Sequence, residues 1–388
     1  MEYGFRKRKL LKTLLLSLSL LFATVAFVQK LKSADGPVPG WRDARPNASE
    51  DPGPSEEEEE APPAWGVTAS PCRPNGSVRG LSGFSALDAR FQQYVLYRHC
   101  RHYPMLLNHP EKCAAPTHLL IVVKSVIEQH DRRAAVRQTW GRERRAGGRA
   151  VRTLFLLGAP SAGKDRRNLQ ALLELEDRLH GDILQWDFMD TFFNLTLKEV
   201  NFLRWFALYC PRTRFVFKGD DDVFVHTDNL LEFLASQGEG PGPDDLFAGD
   251  LITRALPIRN HQSKYFIPPQ LHDRPYPPYA GGGGFLMAAP LARRLAAAAD
   301  TVPLYPIDDV YLGMCLQRLG VQPQGHSAFR TFGIVRRRVS PMNSDPCFYK
   351  NLVVIHKLSP EGLLRMWDIV QNRTLVCAKK VRINVSDG

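Results

Sequence analysis

Arg214-Phe215-Val216-Phe217-Lys218-Gly219-Asp220-Asp221-Asp222 is the stretch on which the fold turns. Its apolar first half reads as a buried strand, and three carboxylates follow a glycine at its end. In an extended segment, Asp220 and Asp222 share one face while Asp221 takes the other. Three adjacent like charges repel, so a purely structural role is costly. A hard divalent cation accepts such oxygens and shares its coordination with phosphates. In open α/β sheets, ligands collect beyond the carboxyl ends of strands, where this triplet sits. The plain alternative is a solvated acidic turn. An EF-hand is excluded, because Phe224 and Val225 occupy slots that need a ligand and a glycine.

Working outward, residues 118–123, 151–157, 182–186, 246–250, 284–287 and 352–356 read as further strands. Residues 131–140, 165–180, 196–209, 227–236, 291–299, 307–319 and 361–370 read as helices. The second is amphipathic, with Leu169, Leu172, Leu173, Leu175 and Leu179. The third opens on a capping-box pattern, Thr196 with Glu199 three residues on. Alternating strands and helices predict an α/β fold with a mostly parallel sheet.

Three more constellations carry candidate chemistry. Tyr279-Ala280-Gly281-Gly282-Gly283-Gly284-Phe285 allows close backbone approach to a ligand. No Gly-Lys-Ser/Thr follows, so it is not a P-loop. No strand leads into it and no helix opens from it, so a flexible loop is the plain expectation. In Tyr305-Pro306-Ile307-Asp308-Asp309-Val310-Tyr311, two acids open a helix, as simple caps or as a positioned general base. His356 ends a strand, as a satisfied residue or as a nitrogen ligand.

The amino terminus sets the compartment. Arg6, Lys7, Arg8, Lys9 and Lys12 precede an uncharged run over 13–28, which Lys30 and Lys32 close. Such a helix rises about 24 Å, enough for a thin bilayer with snorkelling flanks. The cationic flank keeps the amino terminus cytoplasmic and predicts a type II signal anchor, with a cleaved signal peptide as the alternative. The following segment, rich in proline and with the acidic run at 56–60, cannot bury enough apolar surface to fold. The expected division is a cytoplasmic tail at 1–12, an anchor at 13–29, a stem at 30–70 and a lumenal domain at 71–388.

Five sequons fit a lumenal chain: Asn47, Asn75, Asn194, Asn372 and Asn384. The 7 cysteines contain no C-x-x-C pair, which disfavours zinc and predicts disulfides with one thiol left over, pairing open. Of 388 residues, 44% are hydrophobic, which rules out a wholly disordered chain. Residues 1–64 carry 9 Lys+Arg against 10 Asp+Glu, so the rest carries 42 against 30. A basic folded part suits an anionic ligand. A lumenal domain would not meet nucleic acid.

These motifs, together with Asp190-Thr191-Phe192-Phe193-Asn194-Leu195-Thr196 and Tyr276-Pro277-Pro278, resemble the β-1,3-N-acetylglucosaminyltransferases, inverting Golgi enzymes of glycosyltransferase family 31. The resemblance runs from about Pro71 to Cys377. It implies a GT-A fold, a UDP-N-acetylglucosamine donor, and galactose-terminated glycoprotein glycans as acceptors, sulfated keratan-type chains among them. It implies a single-pass Golgi membrane protein, working alone, as a homodimer or with other Golgi transferases. Asp222 and His356 then resemble ligands of Mn²⁺ or Mg²⁺, Asp309 the catalytic base and Asp308 an acceptor contact. Asp220 resembles a ribose contact. Asp221, Lys124, Arg132, Arg133 and Arg137 fall near the nucleotide, and Gly282, Gly283 and Gly284 near the sugars. Two rival functions stay open: a β-1,3-galactosyltransferase of the same fold and a non-catalytic glycan-binding Golgi protein.

Overall fold

The computed structural model describes residues 64–68, 72–161, 163, 165–236, 244–331 and 345–377. All fall in one compact unit, Ala61–Gly388. The apolar run at 13–28 and the Asn47 and Asn384 sequons lie outside the described residues. Among the described residues no helix is long and apolar enough to cross a membrane.

The strands are β1 (Met105–Leu107), β2 (Thr117–Lys124), β3 (Arg144–Ala146), β4 (Arg149–Ala159), β5 (Ile183–Met189), β6 (Thr213–Asp220), β7 (Val223–Val225), β8 (Phe247–Ile252), β9 (Tyr279–Ala288), β10 (Gln324–Gly325), β11 (Phe329–Arg330) and β12 (Val354–His356). The helices are α1 (Ala89–Tyr97), α2 (His130–Gln138), α3 (Arg166–His180), α4 (Leu195–Tyr209), α5 (Thr227–Ser236), α6 (Ala289–Thr301), α7 (Asp308–Leu319), α8 (Pro346–Asn351) and α9 (Pro360–Gln371). A central sheet runs β1-β5-β4-β2-β6-β9-β8-β10, with β3 on β4, and a small sheet runs β11-β12-β7.

The architecture is mixed α/β around a central sheet. The expectation of a mostly parallel sheet holds for only half of it. β5, β4, β2 and β6 are parallel, but β6–β9 and β8–β9 pair antiparallel. Parallel neighbours need a crossover, usually helical. No helix stands between β8 and β9, so those two strands pair antiparallel.

Alternation along β2 explains the layers. Leu120 and Val122 join a core with Phe202, Phe206, Leu295 and Tyr311, under α4, α6 and α7. Leu119, Ile121 and Val123 face a second core with Val136, Leu230 and Leu363, under α2, α5 and α9. Each fully buried aliphatic side chain contributes roughly 1.5–3 kcal/mol. A strand covered on both faces therefore fixes its own end, which is where Lys124 stands.

Other expectations change. Glu199 does not cap α4: Asn194 holds the cap position, and Glu199 is buried against Lys218. The Thr196 hydroxyl donates instead to the Tyr305 carbonyl. α3 buries Leu173, whereas Leu172, Leu175 and Leu179 stay exposed. The domain starts before residue 71, because Trp65 is buried and its indole N–H donates to the Tyr103 carbonyl at 2.8 Å. Disulfides join Cys72–Cys100, Cys113–Cys210 and Cys347–Cys377. Cys315 is the free, buried thiol.

Candidate active site

The site gathers at the carboxyl ends of β2 and β6. Lys124 and Asp220 are register partners there. The turn after Asp220 leads into β7, which pairs antiparallel with β12 and sets His356 opposite Val223. That pairing brings His356 to the triplet across 134 residues of chain, with Nε2 at 2.9 Å from Asp222 Oδ1.

His356 Nδ1 lies 2.7 Å from the Thr331 carbonyl. A carbonyl only accepts, so Nδ1 carries a proton and Nε2 is aimed at the acids. Thr331 is itself held by Asp250, whose Oδ2 accepts from its N–H and hydroxyl, both at 3.0 Å. Asp220, Asp222 and His356 each bring a ligand atom within 4.8 Å of the others. Two carboxylate oxygens and an imidazole whose far nitrogen is anchored suit a hard divalent ion such as Mn²⁺ or Mg²⁺. Burial pushes Asp222 up, but the His356 hydrogen bond and charge outweigh it and hold Asp222 below the usual carboxylate range.

Asp221 points the other way, as strand alternation requires. Its carboxylate accepts from Ser125 Oγ at 2.7 Å and Arg132 Nη1 at 3.0 Å. Arg132 also lies 3.6 Å from Asp222 Oδ2. Two expected nucleotide contacts are placed elsewhere. Arg133 is fully buried and donates to Glu176, Ser125 and the Val126 carbonyl. Arg137 donates to Glu176 and Asp182. Both bind α2 to its surroundings, so Arg132 is the α2 arginine that reaches the triplet.

The glycine stretch is not a loop. It is part of β9, packed on β6 and β8. A Cβ on Gly284 would stand 3.0 Å from Val354 Cγ1. One on Gly282 would stand 3.5 Å from Lys124 Nζ and 3.6 Å from Asp309 Oδ2. The absence of side chains lets β9 lie against the small sheet and the acids at once.

Asp308 and Asp309 open α7. Asp309 Oδ2 accepts from Gly282 N–H at 3.2 Å and Oδ1 from Val310 N–H at 2.8 Å. Burial, then the neighbouring Asp308 charge, push Asp309 up to about 7. Asp308 goes the other way: burial opposes its ionisation, but Lys124 outweighs it at 2.7 Å and holds its carboxyl low. The expected acceptor contact is therefore occupied by an ion pair within the protein.

Three participants went unread in the sequence. Ser125, Thr331 and the Glu199–Lys218 pair all act through tertiary contacts; Glu199 stood in a motif only as a cap, and Lys218 only as the end of the apolar run. Of the sequons, Asn75 and Asn372 are exposed and Asn194 is half-buried, its amide donating to the Met189 carbonyl.

Residues 131–327 match the Galactosyltransferase family. The architecture and the acid-lined site thus belong to a glycosyltransferase. The chain belongs to that family. It is 49% identical to the mouse protein named UDP-GlcNAc:betaGal beta-1,3-N-acetylglucosaminyltransferase 7, over 97% of this chain and 99% of that one. The rat protein of that name is 54% identical over 83% of this chain and 81% of its own. Human N-acetyllactosaminide beta-1,3-N-acetylglucosaminyltransferase 3 is 45% identical over 81% and 84%.

Proposed function

We propose that this glycosyltransferase moves N-acetylglucosamine from UDP-N-acetylglucosamine to the 3-hydroxyl of a terminal β-galactose, with inversion. The acceptors are glycoprotein glycans of the poly-N-acetyllactosamine and keratan type, sulfated chains among them. The names of the relatives support the donor and the linkage. The single structural observation that carries the reading is Asp309, a carboxylate held by the Gly282 and Val310 N–H groups at the start of α7 and raised to about 7 by burial and the Asp308 charge.

Asp309 takes the proton of the acceptor hydroxyl as that oxygen bonds to C1 of the donor. The C1–oxygen bond to the diphosphate breaks on the opposite face, and its electron pair leaves with UDP. Asp222 and His356 would hold Mn²⁺ or Mg²⁺, with Asp220 beside them. When bound, the cation offsets charge on the leaving diphosphate. Thr331 orients His356, Gly282 orients Asp309, and burial keeps the base close to its working pH. The fold is of the GT-A type, and the chain works from a signal anchor in the Golgi membrane with this domain lumenal.

The test is a donor screen. The full-length protein is incubated with a galactose-terminated acceptor and either UDP-N-acetylglucosamine or UDP-galactose. Transfer from the first, giving a β-1,3 linkage, supports the reading. Preferential transfer from the second makes the chain a galactosyltransferase, and transfer from neither favours a binding role.

A further inference from the structure

Four carboxylates converge at this site, Asp220 and Asp222 from the β6 end and Asp308 and Asp309 from the start of α7. Like charges gathered in a buried place repel, and a cation held between the two ends offsets that repulsion. Lys124 is that cation. Its side chain is 5% exposed, and Nζ lies 3.2 Å from Asp220 Oδ1 and 2.7 Å from Asp308 Oδ2. It joins the strand that presents the triplet to the helix that presents the base.

Lys124 is itself held. Ser125, the next residue, donates its N–H to the Leu156 carbonyl and its hydroxyl to Asp221, and accepts from Arg133. The buried Lys198 ammonium donates to the Ser125 carbonyl and pairs with Asp190 at 2.9 Å. Lys218 and Glu199 form a second buried pair at 2.5 Å. Burial opposes the charge on Lys124, but Asp220, Asp308 and Glu199 outweigh it, so the ammonium stays charged.

We propose that Lys124 is a positioning residue that couples the two ends of the site, holding Asp308 so that Asp309 faces the Gly282 N–H, rather than a contact to the nucleotide. The inference rests on Asp309 being the base. An unfilled Lys124 would be free to meet a diphosphate, but its two short ion pairs already occupy it. Asp308 in turn is the anchor of α7 and not an acceptor contact.

The test is a double-mutant cycle in the full-length protein, with Lys124→Met, Lys124→Arg, Asp308→Asn and the Lys124→Met/Asp308→Asn pair. Turnover, donor KM, UDP affinity by calorimetry and thermal melting are measured for each. Lys124→Met is expected to lower kcat about 100-fold, the scale of a misplaced catalytic group, with UDP affinity unchanged. Lys124→Arg is expected to recover part of the loss. The double variant is expected to lose less than the product of the singles, because removing Asp308's charge removes the need for the ammonium. If UDP affinity falls in step with kcat, or the two losses multiply, Lys124 is a donor contact and the proposal is overturned. Should Lys124→Met fail to fold, the same criteria are read from Lys124→Arg and Asp308→Asn. Failure of the underlying reading is separately visible, since Asp309→Asn would then retain transfer while the cycle between residues 124 and 308 still reports its coupling.

Discussion

The site holds two acidic ends built from the same side chain and tuned in opposite directions. At the strand end, Asp222 is partly exposed, meets His356 and Arg132, and is held below the ordinary carboxylate range. At the helix end, Asp309 has two backbone N–H groups but no cation of its own, because Asp308 takes Lys124. Burial and the Asp308 charge then raise it to about 7. Environment, and not residue type, separates a permanent anion suited to a metal from a base that exchanges a proton. The comparison is sharpened by breaking each end in turn.

The largest effect is expected at the helix end. Asp309→Asn is near-isosteric and leaves the Asp308–Lys124 pair in place, but it can accept from only one of the two backbone N–H groups and cannot take a proton. Turnover is expected to fall about 10²–10⁴-fold, with UDP affinity unchanged by calorimetry. Its folded-state pKa is raised, so its favourable contribution exists below the unfolded value and is lost as pH rises through about 7. The melting temperature of the wild type is therefore expected to fall relative to that of Asp309→Asn as pH rises through about 7. Wild-type turnover in the variant would transfer the role of base away from this residue.

At the strand end, Asp222→Asn removes a charge from the candidate ligand set. UDP affinity measured with Mn²⁺ or Mg²⁺ is expected to drop by at least the 10–100-fold typical of lesser changes around a metal. Turnover falls with it, and excess chelator produces the same loss in the wild type. Metal-dependent UDP binding that survives Asp222→Asn would detach the triplet from the cation.

The two ends also separate by pH. At saturating donor, kcat is expected to rise about tenfold per unit below pH 7 and to level off above it, since Asp309 works in its ionised form. Asp222, held low, stays ionised through that window. In Asp309→Asn the residual rate should lose this limb; if the limb persists, another group sets it.

Half of this arrangement was legible before any fold was known. The β2 and β6 runs announced buried strands, and alternation correctly sent Asp221 away from Asp220 and Asp222. The acid pair was found as a motif, and the resemblance already set Asp309 apart as the base, but the ion pair that engages Asp308 was not legible. Lys124 reaches Asp308 across 184 residues, and sequence spacing does not encode that meeting. The glycines misled for a physical reason. A strand without side chains has no apolar alternation to read, and only the neighbours Val354, Thr331 and Asp309 show why it must be bare. The arginines of α2 likewise looked equivalent, because their separation into site and scaffold depends on Glu176 and Asp182, which lie on or just beyond α3.

That last ambiguity gives the smallest expected effect and the finest test of what keeps Asp222 low. Arg132 is about one-third exposed at 32%, and it reaches Asp221 and Asp222 from outside. A partly exposed ion pair is worth roughly 0.2–1 kcal/mol, equivalent to no more than about fivefold in binding. Arg132→Gln should therefore weaken metal-dependent UDP binding within that range and leave melting nearly unchanged. Arg137 is well covered and pairs with two acids at 2.7 Å each, so Arg137→Gln strands Asp182 and leaves Glu176 to Arg133 alone. Leaving buried charged groups unpaired is costly, so its effect should appear as a lower melting temperature with UDP affinity retained. The two variants then move different observables, one at the site and one in the scaffold. If Arg137→Gln weakened UDP binding as much as Arg132→Gln while melting normally, the strand end of the site would extend further along α2 than its ion pairs indicate.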